Sequence, residues 1–293
     1  MTARPRGSKE FQRLLQRRAA EIGQLPQRVM HLVRVGVVCA MLDGVRHEDD
    51  GGHLFIVKGG TAMQLRLGIQ ARATTDLDVV FRGRVNEWLD RFDSAWADNS
   101  WNGFTIARKA EPVQIDVAAV GYRPWRVPLQ IRYEGRDFGS LAFEAAIDET
   151  SAGHHELIKP KGIELSAFDC EPPRYVPCLD IPYQIAQKIH ACTELIPEGN
   201  DRVRDLVDIW LLEQRLDTNN LTEVRAATIE TFRRRQQHEW PPQVVQSRSW
   251  ARDYALLVAE YPDAPPTIDA AVDYLCGLIA RIDATTASTA GRK

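Results

Sequence analysis

Apolar residues recur at helical spacing near the start of the chain. Phe11, Leu14, Leu15 and Ile22 share one side of a helix expected over 9–22, with Arg13, Arg17 and Arg18 on the rest of its surface. That basic surface reads first as a solvated face and second as an RNA contact. A more apolar helix, expected over 27–42, should lie in the core. From Phe55 to Phe81 the pattern switches twice. Ile56 and Val57 form a short strand that ends in Lys58-Gly59-Gly60, where glycine permits a tight turn and close backbone approach. Met63, Leu65 and Leu67 mark a short helix with Thr61 as its expected N-cap. A second strand then opens on Asp76-Leu77-Asp78. Period-two alternation places Asp76 and Asp78 on one face and Leu77 and Val79 on the other.

Beyond Phe81 a helix is expected over 86–97, with Trp88, Leu89, Phe92 and Trp96 at a 3.6-residue spacing. Those aromatics read as core and only secondarily as a base-stacking platform. Strand patterns follow at 104–106, 113–120, 127–133 and 141–147, with Glu134-Gly135-Arg136-Asp137 as a hairpin turn. The stretch 160–182 contains five prolines and little periodicity, so it is expected to connect two domains. After it the pattern is helical, over 182–195, 201–216, 221–237, 247–260 and 267–283. The reading is an α/β domain with a mixed sheet, over 1–165 with its N-terminal helices, and a helical C-terminal domain over 178–293.

Composition narrows the class. The chain has 293 residues, 44% of them hydrophobic and 26% charged, as expected of a soluble globular protein able to bury a sizeable core. A net charge of −3 argues against bulk nucleic-acid binding and leaves such a role to local basic patches. Five cysteines with no CxxC pair point to reduced thiols, not a disulfide framework or a zinc site. The start of the chain is basic and polar, and no apolar run is long enough to span a bilayer. A cytoplasmic protein without membrane association is therefore expected.

Two constellations carry chemistry. Gly59-Gly60 with Asp76 and Asp78 combines a turn that phosphates can approach with two carboxylates able to hold a divalent metal, the requirements of phosphoryl or nucleotidyl transfer. The bland alternative is a turn beside a solvated strand end. A third carboxylate has two candidates: Asp116 first, because consecutive elements tend to be neighbours, and Glu144 second. Either, if buried, needs a metal, a cation or hydrogen bonds. The second constellation is Lys188 with Asp201, Asp205 and Asp208, spaced i, i+4 and i+7 along one helix face. It reads either as a solvated helix with an Arg204–Asp208 pair or as Lys188 touching nucleotide phosphates while the acids hold it. His154-His155 reads as a surface loop. Arg233-Arg234-Arg235 is the best local basic cluster for an RNA backbone. The common phosphate-loop, dinucleotide, zinc-protease and serine-hydrolase motifs are absent from the sequence.

Lys58-Gly59-Gly60-Thr61 followed by Thr74-Thr75-Asp76-Leu77-Asp78 resembles the nucleotidyltransferase signature of the DNA polymerase beta superfamily. With Ile185-Ala186-Gln187-Lys188-Ile189-His190-Ala191 and the run from Asp201 to Asp208, it looks like the AbiEii/AbiGii toxin family of type IV toxin–antitoxin systems. Within that family it resembles the mycobacterial MenT toxins, which transfer nucleotides to the 3′ acceptor end of tRNA. The resemblance implies a polymerase-beta-like domain in which Asp76 and Asp78 bind Mg²⁺, while Lys58, Gly59, Gly60 and Thr61 line the NTP phosphates. It implies that Lys188 and Asp208 complete the site from the helical domain, and that Asp116 is the third metal-binding carboxylate. tRNA, NTP and a cognate antitoxin are the implied partners. Thr61 stands where many superfamily members have Ser, and the spacer between Gly60 and Asp76 is long for the superfamily, as in the toxin branch. Modification of a small molecule or protein, and a non-catalytic binding role, are the alternatives.

Overall fold

The computed structural model describes residues 4–47, 50–82, 85–97, 99–115, 124–147, 154–196, 199–216 and 221–285. The chain divides into two compact units, one ending at Leu179 and the other beginning at Asp180.

The first unit is built on a mixed sheet of eight strands among the described residues: β1 (Phe55–Val57), β2 (Asp76–Phe81), β3 (Phe104–Arg108), β4 (Val113–Gln114), β5 (Trp125–Tyr133), β6 (Arg136–Ile147), β7 (His155–Ile158) and β8 (Val176–Leu179). Their order is β3-β5-β6-β2-β1-β8-β7, with β4 also paired to β5. β2 runs parallel to β6 and antiparallel to β1, while β1 runs parallel to β8. Among the described residues four α-helices belong to this unit: α1 (Ser8–Glu21), α2 (Pro26–Leu42), α3 (Gly59–Leu67) and α4 (Val85–Ala97).

Alternation explains the sheet's two faces. Leu77, Val79 and Phe81 of β2, Leu141, Phe143 and Ala145 of β6, and Val127, Leu129 and Ile131 of β5 are all buried in one hydrophobic cluster. Phe11 and Leu15 of α1, most of α2, and Trp88, Phe92 and Trp96 of α4 belong to the same cluster. The Trp88 face is therefore core, as its spacing predicts. Phe11 lies 4.9–5.7 Å, centroid to centroid, from Phe104, Tyr133, Phe138 and Phe168. Phe143 lies 5.1–6.4 Å from Phe55, Trp88 and Phe92. Full burial of each such ring contributes about 1.5–3 kcal/mol.

Several expectations are corrected. The proline-rich stretch is not a plain connection: it contains a short 3-10 turn (Ser166–Phe168) and the fully buried strand β8, which pairs with β1 inside the sheet. Pro177 is accommodated there because burial of Val176, Cys178 and Leu179 outweighs the hydrogen bond a proline cannot donate. His155 begins β7 and is not a loop residue. The hairpin turn is only Glu134-Gly135, both at positive φ (47° and 72°), since Arg136 and Asp137 already pair in β6. Of the strand expected over 113–120, Val113–Gln114 is observed, and 116–120 lies outside the described residues.

The second unit is helical: α5 (Ile181–Thr193), α6 (Arg204–Glu213), α7 (Leu221–Arg235), α8 (Trp250–Val258) and α9 (Ile268–Asp283). Asp180 caps α5, its carboxylate accepting the Tyr183 amide at 3.2 Å. Of the apolar face expected from the spacing of Ile181, Ile185, Ile189 and Cys192, the last three are buried and Ile181 is half-buried. His190 is fully buried on α5, its ring 4.8 Å from Phe232 and 4.5 Å from His238. Burial pulls its pKa down to about 3, and the charges of Arg235 and His238 act in the same direction. In the first unit His31 falls to about 4, again chiefly by burial, with Arg34 adding to it and Asp76 opposing. A histidine whose folded pKa lies below its unfolded value stabilises fully above about pH 6.5, and that contribution is lost as pH falls toward the folded pKa. Unfolding free energy should therefore drop by up to about 1.4 kcal/mol per pH unit for each of the two histidines between pH 6.5 and 4. Urea midpoints measured across that range test this; a flat profile would contradict it.

Candidate active site

The site in the first unit is assembled by three short segments. β1 delivers Lys58 at its end, and Lys58 is the N-cap of α3, with extended backbone. The Lys58 amide donates to the Asp78 carbonyl at 2.9 Å, so the turn is fastened directly to the acidic strand. Gly59 follows at φ 62°, a conformation that L side chains rarely adopt. A Cβ there would also overlap Asp78 Oδ2 and come within 3.1 Å of its Cγ. A Cβ on Gly60 would crowd Thr74 at 3.2 Å. Gly59 is thus demanded by the close approach of the turn to the strand that carries the acids, whereas at Gly60 Thr74 would have to give way by a few tenths of an ångström.

Thr61 differs from expectation. It is not the N-cap but lies inside α3, fully buried, and its hydroxyl donates to the Asp76 carbonyl at 2.6 Å. The N-cap lies three residues earlier than expected, at Lys58, with Gly59 at positive φ as the first residue of the helix. The threonine hydroxyl is consequently a second fastening between turn and strand.

Asp76 and Asp78 occupy the non-core face of β2, both half-buried, while Leu77 between them is fully buried. The alternation predicted from sequence is the one observed. In the parallel register Asp78 lies opposite Glu144 of β6, and Glu144 in turn lies opposite Arg126 of β5. Asp78, Glu144 and Arg126 therefore form one row across three adjacent strands. The Glu144 carboxylate accepts from Arg126 Nε at 2.8 Å and Nη2 at 2.5 Å. That hydrogen bond and the charge behind it push the Arg126 guanidinium above its usual range, and Asp76 and Asp78 add to the effect. Arg126 is the residue that sequence reading passed over. Its signal was its position in a strand alternating with Val127 and Leu129, which places it on the face opposite the core.

Asp116 lies outside the described residues. The neighbour argument that ranked it first does not describe this sheet: β4 pairs with β5, and the strands beside β2 are β1 and β6. Glu144 is in register with Asp78 but engaged by Arg126. Among the described residues, no group of three or more His, Cys, Asp or Glu is arranged to hold a metal ion. The pair Asp76 and Asp78, with the backbone drawn in at Gly59, nevertheless fits Mg²⁺, which takes one or two carboxylates and completes its shell with water and substrate phosphates.

Replacing Gly59 with alanine should cost about 1–3 kcal/mol of stability from the strained backbone and displace the Asp78 carboxylate. A loss of transfer activity larger than the stability change explains is expected, seen by comparing kcat with the unfolding midpoint. Unchanged kcat would show that the close approach is dispensable.

In the second unit, Lys188 of α5 is buried, and its ammonium donates to Asp205 Oδ1 at 2.8 Å and Asp208 Oδ2 at 2.6 Å. Asp208 is fully buried and Asp205 nearly so, whereas Asp201 is exposed and precedes the helix. The solvated-helix reading is corrected: the two acids turn inward to meet the lysine. Arg233 and Arg234 are exposed at the C-terminal end of α7, Arg234 pairing with Glu230 at 3.0 Å. Among the described residues no helix is long and apolar enough to cross a membrane.

Comparison with solved structures finds the MenT4 nucleotidyltransferase toxin of Mycobacterium tuberculosis H37Rv, at 15% identity and a TM-score of 0.55, over 94% of this chain and 90% of that one. That likeness is one of fold. The aminoglycoside nucleotidyltransferase ANT(2″)-Ia in complex with adenylyl-2″-tobramycin matches at 16% identity over 69% of this chain and 98% of that one, with a TM-score of 0.39. Comparison with curated protein sequences finds no match. The family model described as "Nucleotidyl transferase AbiEii toxin, Type IV TA system" matches residues 41–274, which takes in the glycine turn, the acidic strand and the Lys188–Asp208 cluster. The chain therefore belongs to the AbiEii family of nucleotidyltransferase toxins.

Proposed function

We propose that this toxin transfers nucleotides from NTP to the 3′ acceptor end of tRNA, with Mg²⁺ held by Asp76 and Asp78, and so blocks translation. The observation that carries the catalytic half is the double fastening of the Lys58–Thr61 segment to the strand bearing both acids. It holds a phosphate-accessible turn and a metal-binding pair rigidly side by side. When bound, Mg²⁺ supplies charge stabilisation at the α-phosphoryl group and at the departing pyrophosphate. Lys58 and the Gly59 and Gly60 backbone line the phosphates. Lys188, set by Asp205 and Asp208, adds positive charge as the toxin-family resemblance implies.

The tRNA half is supported by the resemblance of the same motifs to the MenT toxins and by the exposed Arg233 and Arg234, suited to a phosphate backbone. A cognate antitoxin is the expected protein partner, in keeping with a type IV toxin family. Incubation with each α-labelled NTP, Mg²⁺ and, in parallel, total tRNA, total protein or aminoglycosides should label tRNA alone. Label confined to protein or aminoglycoside would replace this reading with modification of that acceptor. Turnover unaffected by chelation of divalent metal would remove the Mg²⁺ part.

A further inference from the structure

The row Asp78–Glu144–Arg126 holds a cation that the proposed chemistry has not yet used. Adjacent strands lie about 4.8 Å apart, so Arg126 starts only about 10 Å from the Asp78 backbone and on the same face. Its side chain remains 53% exposed, while Glu144 is 18% exposed. Glu144 spends one oxygen on two N–H groups of the guanidinium, and among the described residues it is the acceptor that fixes the arginine's direction. Nη1 and the outer edge of the fork face away from that bond.

We infer that Arg126 binds the polyphosphate of the NTP and that Glu144 is its positioning residue. The inference rests on the nucleotidyl-transfer reading and assigns a further binding residue to that site. Two aspartates and a polyphosphate bring several negative charges to one sheet face, which a metal bound by the aspartates offsets only in part. A guanidinium across the same face, its own charge balanced by Glu144, presents paired donors matched to phosphate oxygens. A purely structural pair would serve only to neutralise the mostly buried Glu144. That role does not call for a half-exposed arginine in register with the metal-binding strand.

The test measures binding of the α,β-methylene analogues of ATP, CTP, GTP and UTP, each with Mg²⁺, by equilibrium dialysis, alongside kcat and KM for NTP and for tRNA. Arg126→Ala should weaken analogue binding and raise the NTP KM roughly 10–100-fold, with kcat and the tRNA KM changed less than a few-fold. Arg126→Lys should recover part of the loss, because an ammonium keeps the charge without the fork. Glu144→Gln should raise the NTP KM by a smaller factor. Should Arg126→Ala fail to fold with Glu144 left charged, the double variant Arg126→Ala/Glu144→Gln removes that charge and should show the same binding defect. Wild-type analogue affinity in either arginine-to-alanine variant, or a rise confined to the tRNA KM, would overturn the inference while leaving nucleotidyl transfer standing. Failure of the wild-type protein to bind any of the four analogues would overturn both.

Discussion

Asp76→Ala should lower nucleotide transfer by about 10³-fold or more while leaving the fold intact. The size follows from removing one of two carboxylates from the proposed Mg²⁺ site, where a bound metal would contribute several kcal/mol of charge stabilisation at the transition state. The fold should survive because the link between turn and strand runs through the Asp76 backbone: the Thr61 hydroxyl bonds its carbonyl, not its carboxylate. The side chain is half-buried on the non-core face, so its loss opens no cavity in the aromatic core. Steady-state transfer against Mg²⁺ concentration, with circular dichroism melting as the control, measures both parts. Undiminished transfer by a folded Asp76→Ala protein would remove the mechanism.

Lys188→Ala carries the largest expected effect on stability. It removes the cation that both Asp205 and Asp208 contact, where Asp208 is fully buried and Asp205 7% exposed at its side chain. Removing one partner of such a buried pair costs about 3–5 kcal/mol, because the remaining charge is left desolvated. Urea unfolding of the variant should show that loss. The triple variant Lys188→Met/Asp205→Asn/Asp208→Asn removes all three charges and should regain most of the stability. If the cluster only holds the helices together, the triple variant also regains transfer. If Lys188 contributes charge to the nucleotide phosphates, transfer stays lost in a stable protein. Stability unchanged in Lys188→Ala would show that the buried pair is not the anchor of α5 and α6.

Local patterns were legible where a single period decided the outcome. The split of Asp76 and Asp78 from Leu77 and Val79, and the core placement of Trp88, Phe92 and Trp96, follow from spacing alone. Sheet order did not. β2 finds its parallel partner β6 after a long excursion, so the register of Glu144 with Asp78 could not be read from neighbouring elements, while Asp116 lies outside the described residues. β8 was hidden by the proline-rich run around it, because burial between β1 and β7 overrode the usual reading of Pro177. Thr61 was misread for a related reason: a hydroxyl before a helical run signals an N-cap only when the preceding residues are not themselves helical, and Gly59 at positive φ altered that start. Asp205 and Asp208 looked solvated because a charge stripe carries no sign of the lysine that meets it from α5. Apart from Thr61, whose cause is local, the missing information was a partner distant in sequence.

The proposed reaction is transfer of a nucleotide onto the 3′ terminus of tRNA. Its most direct test is incubation of the wild-type protein with α-labelled NTP, Mg²⁺ and either intact tRNA or tRNA whose 3′-terminal diol has been oxidised with periodate. Label is expected on the intact tRNA, released by trimming its 3′ end, and none on the oxidised tRNA. Equal labelling of both, or label on neither, would contradict it.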